Sequence, residues 1–267
     1  MSLRPSFKPD QVRIVESFLG DSFKQAGKSL AVVGMSGGLD SSVVAYLCVR
    51  ALGAERVTAL FMRDELSDPE DLRDVEGMSD ELGISLEIVD ISSMVKEFSN
   101  SLGIDDPKLQ GNIRARCRMI VAYYISNRRD GLVVGTGNKS ELLVGYLTKF
   151  GDGGVDLLPL GDLYKSQVRE MGRFLGVPER IIKKVPSPGL WKGQTDEGEL
   201  GFSYEELDQV LLGLELGMTA EEIRDRTEIS LQRVREVEGM VSRTVHKRKM
   251  PLIPKVGVRT LGLDWRE

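Results

Sequence analysis

Over the first two-thirds of the chain, short continuous apolar runs alternate with segments of helical period. LAVVGMS (30–36), RVTALFMR (56–63), SLEIVDI (85–91) and GLVVGT (131–136) are rich in Val, Leu and Ile and hardly alternate with polar residues. That pattern predicts four strands covered on both faces. Residues 40–52, 69–82, 92–102 and 107–128 read as the helices between them, long enough to return each strand parallel. An amphipathic leader helix is predicted over 9–19. In 107–128, Ile113, Cys117, Ile120 and Tyr124 recur at i, i+4, i+7 and i+11; they predict one apolar stripe, with Arg114, Arg116 and Arg118 off it. The open βαβα order points to an α/β fold: a doubly wound parallel sheet with helices on both faces and ligands beyond the carboxyl ends of its strands.

The texture changes after Lys149. GDGGVDLLPLGDLYK (151–165) leads to helical stretches without a convincing further strand, and VPSPGLWKGQTDEGELG (185–201) mixes Pro, Gly, charges and an exposed-looking Trp191. A loop of that length is usually a lid or a disordered connection. Three more helices start at Ser203, Thr219 and Ser230. The expected organisation is a single domain over 1–267: an α/β nucleotide-binding core (1–184), a lid loop (185–201) and a C-terminal helical extension (202–267).

Composition narrows the function classes. A formal net charge of -5 over 267 residues argues against a general nucleic-acid binder, which needs a broad basic surface. The N-terminus has no signal-like apolar region and no run approaches a membrane span, so the expectation is a cytoplasmic protein with no membrane partner. Cys48 and Cys117 stand apart in helical patterns and read as small core hydrophobes.

The chemistry begins at VVGMSGGLDSS (32–42). A Walker-type loop needs a lysine, and none follows Gly34 until Lys96. Instead the adjacent Gly37 and Gly38 let the backbone turn tightly around an anion, and Ser36, Ser41 and Ser42 add hydroxyls at a helix N-terminus. Asp40 would repel a bound phosphate unless a divalent cation lay between them, and magnesium accepts carboxylates together with substrate phosphates. A plain strand-to-helix turn with Asp40 as its N-cap would use the same residues.

This S-G-G-x-D-S loop resembles the pyrophosphate-binding loop of the ATP pyrophosphatase superfamily, which splits ATP between its α and β phosphates. QGNIRARCRMI (110–120), GTGNKSE (135–141), TKFGDGGVDLLPLGDLYK (148–165) and HKRKMP (246–251) are similar, in the same order, to segments of ammonia-dependent NAD synthetases. The resemblance covers nearly the whole chain. It implies ATP-dependent amidation of deamido-NAD with ammonia to NAD, AMP and pyrophosphate through an adenylated carboxylate, the last step of NAD biosynthesis, with no covalent protein nucleophile.

Residue by residue, the resemblance implies that Gly34, Met35, Ser36, Gly37, Gly38, Leu39, Asp40 and Ser41 wrap the ATP phosphates. Arg63, Thr136, Lys165 and Ser187 join them; Ser187 stands where the family commonly has threonine. Asp40 and Glu141 would hold Mg2+ and, with Lys165, support adenylation. Arg116, Lys149, Asp156, His246 and Lys247 would hold deamido-NAD, at a homodimer interface. Several residues of these segments have plainer readings on their own: a solvated helix face for Arg116, a hairpin or turn for Gly151, Gly153 and Gly154, dipole complementation for the cluster at His246, and a helix cap for Glu141. The roles of Asp196, Glu197 and Glu199 are left open. The first strand at Leu30 leaves no room in this sequence for the glutaminase domain of glutamine-using relatives, so free ammonia is the expected nitrogen donor, with a separately encoded glutaminase partner as the alternative. A tRNA-thiolating or GMP-forming relative and a nucleotide sensor that does not consume ATP are the competing readings.

Overall fold

In the computed structural model, which describes residues 3–260 other than Lys192, the chain runs as alternating helices and parallel strands. The leader helix α1 (Asp10–Ala26) precedes β1 (Leu30–Gly34), α2 (Leu39–Leu52), β2 (Val57–Arg63), α3 (Pro69–Leu82), β3 (Ser85–Asp90), α4 (Ser92–Leu102), α5 (Pro107–Arg128) and β4 (Gly131–Val134). Then come α6 (Lys139–Val144), α7 (Lys165–Leu175), α8 (Glu179–Ile182), α9 (Asp196–Leu200), α10 (Tyr204–Glu215), α11 (Ala220–Arg226) and α12 (Leu231–Arg243). The ends of the chain named in the predicted organisation, 1–2 and 261–267, lie outside the described residues.

The strand order is β3-β2-β1-β4, all parallel. Between β1 and β4 the order of winding reverses, which opens a crevice at their carboxyl ends. Beyond β4 the returning chain makes a parallel bridge, Val134 to Leu157. One face of the sheet, with Ala31, Val33, Val57, Ala59 and Phe61, packs on α1, α2, α3, α7 and α8. The other, with Leu30, Val32 and Leu60, packs on α4 and α5. A third core joins α6 to α10, α11 and α12 around Tyr204, Leu207, Leu211, Ile223 and Val237.

Local chemistry sets many of the boundaries. Asp68 and Asp106 cap α3 and α5 just ahead of a proline, whose fixed φ suits the first helical turn. Ser203 and Thr219 form capping boxes with Glu206 and Glu222, and Ser230 caps α12. Cys48 and Cys117 are buried and unpaired.

Two expectations need correction. β1, β2 and β4 are buried along most of their length; β3 is a sheet edge and leaves Ile88 exposed. The stripe predicted for α5 is not its buried face. Ile120 is 51% and Tyr124 62% exposed, whereas Gly111, Arg114, Ala115, Cys117, Val121, Ala122 and Ile125 are buried. Small residues win the inward face because they let the helix approach the sheet closely; Arg114 follows because it has a buried carboxylate, Asp64, to meet.

Gly145 ends α6 in the left-handed region, φ 69°. A Cβ there would lie 2.3 Å from the Cβ of Thr244, at the end of α12. Gly145→Ala is therefore expected to lower unfolding free energy by roughly 1–3 kcal/mol through backbone strain and this clash, as measured by denaturant melts.

Candidate active site

The loop after β1 is braced by its own side chains. The Ser36 N–H donates to Ser41 Oγ at 3.2 Å and the Gly38 N–H to Ser36 Oγ at 3.2 Å, while Ser41 and Ser42 donate to the Gly38 carbonyl. Gly37 has φ +73°, and a Cβ on it would stand 2.9 Å from the Asp71 backbone. Glycine is required there on both counts. The N-cap of α2 is Gly38, so Asp40 is not the cap that the plain-turn reading assigned to it.

Asp40 turns instead to a charge cluster drawn from four distant segments. Lys165, 3% exposed at the start of α7, donates to Asp40 Oδ2 at 2.5 Å and lies 3.6 Å from Glu141 Oε1. Its ammonium also sits 5.0 Å from the centre of the Tyr204 ring. The Tyr204 hydroxyl lies 3.1 Å from Glu141 Oε1 and 2.8 Å from Asp196 Oδ2. Asp40 Oδ1 and Asp196 Oδ1 are buried acceptors with no hydrogen-bond partner. Glu141 does fill the capping box of α6 with Asn138, but with Oε2; Oε1 remains in the cluster. Glu141 thus caps its helix with one oxygen and joins the cluster with the other.

Three carboxylates around one ammonium leave excess negative charge. Burial, reinforced by Asp40 and Asp196 and opposed by Lys165, pushes Glu141 up to about 8. Burial likewise raises Asp196 against Lys165 and Tyr204. For Lys165, burial works against the charge, but Asp40 and Glu141 outweigh it and raise its pKa. Among the described residues no three His, Cys, Asp or Glu side chains form a self-sufficient metal cage. A hard cation at the free Asp40 oxygen would need further oxygens from a phosphate.

The cluster opens into a cavity of about 630 Å³ lined by Gly34, Met35, Ser36, Gly38, Leu39, Asp40, Ser41, Thr136, Glu141, Lys165, Ser187 and Lys247. Most of the predicted phosphate set is thus brought together. Arg63 is not: it is exposed, pairs with Asp90 at 3.2 Å and does not line the cavity. Ser187 lines the wall, yet its hydroxyl donates to the Gln194 carbonyl at 2.7 Å and accepts from the Gly189 N–H. Lys165 reaches the cavity with its ammonium already committed to carboxylates, a more constrained position than a free phosphate cation.

The predicted acceptor set forms a second group. Lys247 Nζ donates to the carbonyls of Gly145 and Leu147, Lys149 Nζ to that of His246 at 2.7 Å, and Arg116 to that of Lys149 at 3.3 Å. The basic cluster therefore clips 145–149 to the C-terminal part rather than merely ending a helix. Asp156 stands apart, accepting from the Tyr123 hydroxyl and the Val133 N–H. Gly151, Gly153 and Gly154 form the turn that the plain reading allowed: the Gly151 and Gly153 N–H groups donate to the Thr148 carbonyl and that of Gly154 to the Gly151 carbonyl.

The described residues of segment 185–201 cover one side of the cavity, with Asp196 at the start of α9. Arg114 pairs with Asp64 inside the protein and donates to the Leu190 carbonyl at 2.6 Å; Arg118 donates to that of Pro188. Trp191 lies against Gly111. Tyr204, Arg118 and Lys184 are site residues that sequence reasoning missed, and Asp196 is one that it left open. Their positions depend on tertiary packing, which no local pattern reveals.

Against known proteins, the NAD synthase family profile matches residues 11–251. An NH(3)-dependent NAD(+) synthetase of Archaeoglobus fulgidus is 47% identical over 90% of this chain and 94% of its own length. Among solved structures, an NH3-dependent NAD synthetase of Campylobacter jejuni, in complex with nitrate, superposes with TM-score 0.79 at 31% identity, covering 92% of this chain and 98% of that one. An NMN synthetase of Francisella tularensis superposes with TM-score 0.82 at 34% identity, covering 94% and 100%.

The raised Glu141 pKa has a definite thermodynamic sign. The folded protein holds that proton more tightly than the unfolded chain, so stability falls as pH rises from the ordinary value, 4.5, to about 8. Thermal melts in chelator should show this fall in the parent and a flatter profile in Glu141→Gln. Parallel profiles would mean that Glu141 titrates normally.

Proposed function

The chain belongs to the NAD synthase family, and on that premise we infer that it amidates the nicotinate carboxylate of deamido-NAD with ammonia, consuming ATP and releasing AMP and pyrophosphate. The observation that carries this reading is the Asp40–Lys165–Glu141 cluster set against a glycine-turned, serine-braced loop in one cavity. A phosphate-binding loop alone would suit any nucleotide protein. A buried carboxylate cluster at its side suits one that cleaves the phosphate chain.

The protein's part in the chemistry is to position and to stabilise. Backbone N–H groups of the loop and the α2 N-terminus face the phosphates, where charge grows as pyrophosphate leaves. Asp40 and Glu141 would hold Mg2+ through the free Asp40 oxygen and Glu141, and the ion would supply charge neutralisation on the phosphate oxygens. Lys165 holds both carboxyl groups in place and offsets part of their negative charge. Segment 185–201 acts as a lid that shields the acyl-adenylate from water, held by Arg114 and Arg118. In this reading the enzyme is cytoplasmic.

The acceptor is completed by a second copy of the chain. Met94, Phe98 and Leu102 on α4, and Leu109, Ile120 and Tyr124 on α5, are exposed large apolar side chains on two helices packed side by side. Arg116 shares the outward face of α5 with 109, 113, 120 and 124, at helical spacings of three and four. An apolar patch of this kind on an acidic protein is an interface signature, and it would bring acceptor-binding cations to the boundary between protomers. A second acceptor must also be weighed. The likeness to an NMN synthetase, and the placing of Arg116, Lys149, Asp156 and His246 outside the cavity lining, favour testing nicotinate mononucleotide beside deamido-NAD.

Pyrophosphate release from MgATP is expected only when deamido-NAD is present, with NAD formed from ammonium and not from glutamine. Asp40→Asn should lower kcat by about 10²-fold or more. Release dependent on nicotinate mononucleotide alone would keep the chemistry and replace the acceptor. Phe98→Glu with Ile120→Glu should shift the protein from dimer to monomer in analytical ultracentrifugation and raise KM for the acceptor more than for ATP.

A further inference from the structure

The loop after β1 lacks the lysine that phosphate loops ordinarily carry, and Lys165 spends its ammonium on Asp40 and Glu141. A departing pyrophosphate needs a cation at the other end of the loop. One stands there. Lys184, which follows α8 and lines the cavity, donates from Nζ to the Gly37 carbonyl at 3.2 Å. It is held from behind by Asp71 at 2.6 Å and Asp74 at 2.9 Å. Gly37 is the tip of the turn and is wedged on the Asp71 backbone, so the ammonium is fixed where the glycine-rich turn meets the first turn of α3.

We propose that Lys184 is a direct ligand of the terminal phosphates of ATP and of the leaving pyrophosphate, supplying from another segment of the chain the cation that the loop itself lacks. The proposal rests on the ATP chemistry inferred above, not on the identity of the acceptor. Three observations support a ligand over a simple brace. Lys184 is 31% exposed and Asp71 28% exposed, so the pair opens to the cavity instead of closing a core. Arg180 pairs with Asp74 at 2.8 Å, which makes the group of Asp71, Asp74, Lys184 and Arg180 neutral overall and leaves no net repulsion for an anion. Asp71 itself lines the cavity and would repel a phosphate if no cation lay between them. When ATP binds, Lys184 keeps Asp74 and exchanges Asp71 or the Gly37 carbonyl for a phosphate oxygen. Such a pre-positioned charge costs little reorganisation as the leaving group develops its charge.

The test compares ligands that differ only in the terminal phosphates. Calorimetry with Mg2+ and no acceptor measures ATP, pyrophosphate and AMP affinities for the parent, Lys184→Gln, Lys184→Arg and Asp74→Asn. Lys184→Gln should weaken ATP and pyrophosphate about tenfold or more, the scale of one charged hydrogen bond, and leave AMP unchanged, with Lys184→Arg recovering part of the loss. Asp74→Asn, which loosens the brace while keeping the ammonium, should retain pyrophosphate affinity. Equal losses for AMP and ATP in Lys184→Gln, or an Asp74→Asn loss as large as that of Lys184→Gln, would overturn the proposal in favour of a structural brace. A parent protein that bound neither ATP nor pyrophosphate would sink the functional reading and the proposal together, whereas an unexpected acceptor would leave this result intact.

Discussion

A lysine ammonium that is 3% exposed must be surrounded by carboxylates or give up its charge, because burial disfavours the ionised form. Lys165 keeps its charge by drawing Asp40 from the loop after β1 and Glu141 from α6, with Tyr204 of α10 beneath it. Through Tyr204 the same cluster reaches Asp196 at the start of α9. Removing one partner of such a buried pair costs about 3–5 kcal/mol, because the survivor is left uncompensated. The sheet, the C-terminal helices and the covering segment therefore meet at one electrostatic point. The free Asp40 oxygen at that point is the one that faces chemistry.

What the sequence made legible was local. Strand positions, the proline-led starts of α3 and α5 and the capping boxes of α10 and α11 follow from residues close together in the chain, and they stand where local chemistry puts them. The glycine turn was equally legible, since Gly37 and Gly38 constrain the backbone wherever the rest of the chain goes. Tyr204, Arg118 and Lys184 were not, because each also makes contacts far away in sequence, as the Tyr204–Glu141 bond (63 residues) and the Lys184–Gly37 bond (147 residues) illustrate. No local pattern distinguishes such a residue from a surface one. The family resemblance named Lys165 and Glu141 by position, but did not anticipate that they lie 3.6 Å from each other.

Helix α5 shows why periodicity misled. It is apolar on two sides, and a stripe read from Ile113 through Cys117 to Tyr124 runs across both. Hydrophobicity cannot choose between two such faces; volume does. Gly111, Ala115 and Ala122 leave room for the sheet and for the Leu190–Trp191 corner of segment 185–201, while the bulkier Ile120 and Tyr124 remain outside. The inward face also carries Arg114, whose pair with Asp64 is almost fully buried and whose remaining donor holds the Leu190 carbonyl. A single helix thus anchors the cover of the cavity on one side and offers an apolar surface on the other.

The overall charge of -5 is ill suited to substrates built of phosphates, and the arrangement of cations resolves the difficulty. Lys165 and Lys184 are each pinned by two carboxylates, and Arg118 faces Asp64, so none adds a free positive field to the surface. Such pairs attract no nucleic acid and attract phosphate only at short range, where an ammonium can trade one partner for another. Selectivity then comes from geometry instead of net charge: an anion must fit the glycine turn before any of these cations can reach it. The carboxylates that pin them keep the cations in place between turnovers, which is what a site that must release a highly charged product requires.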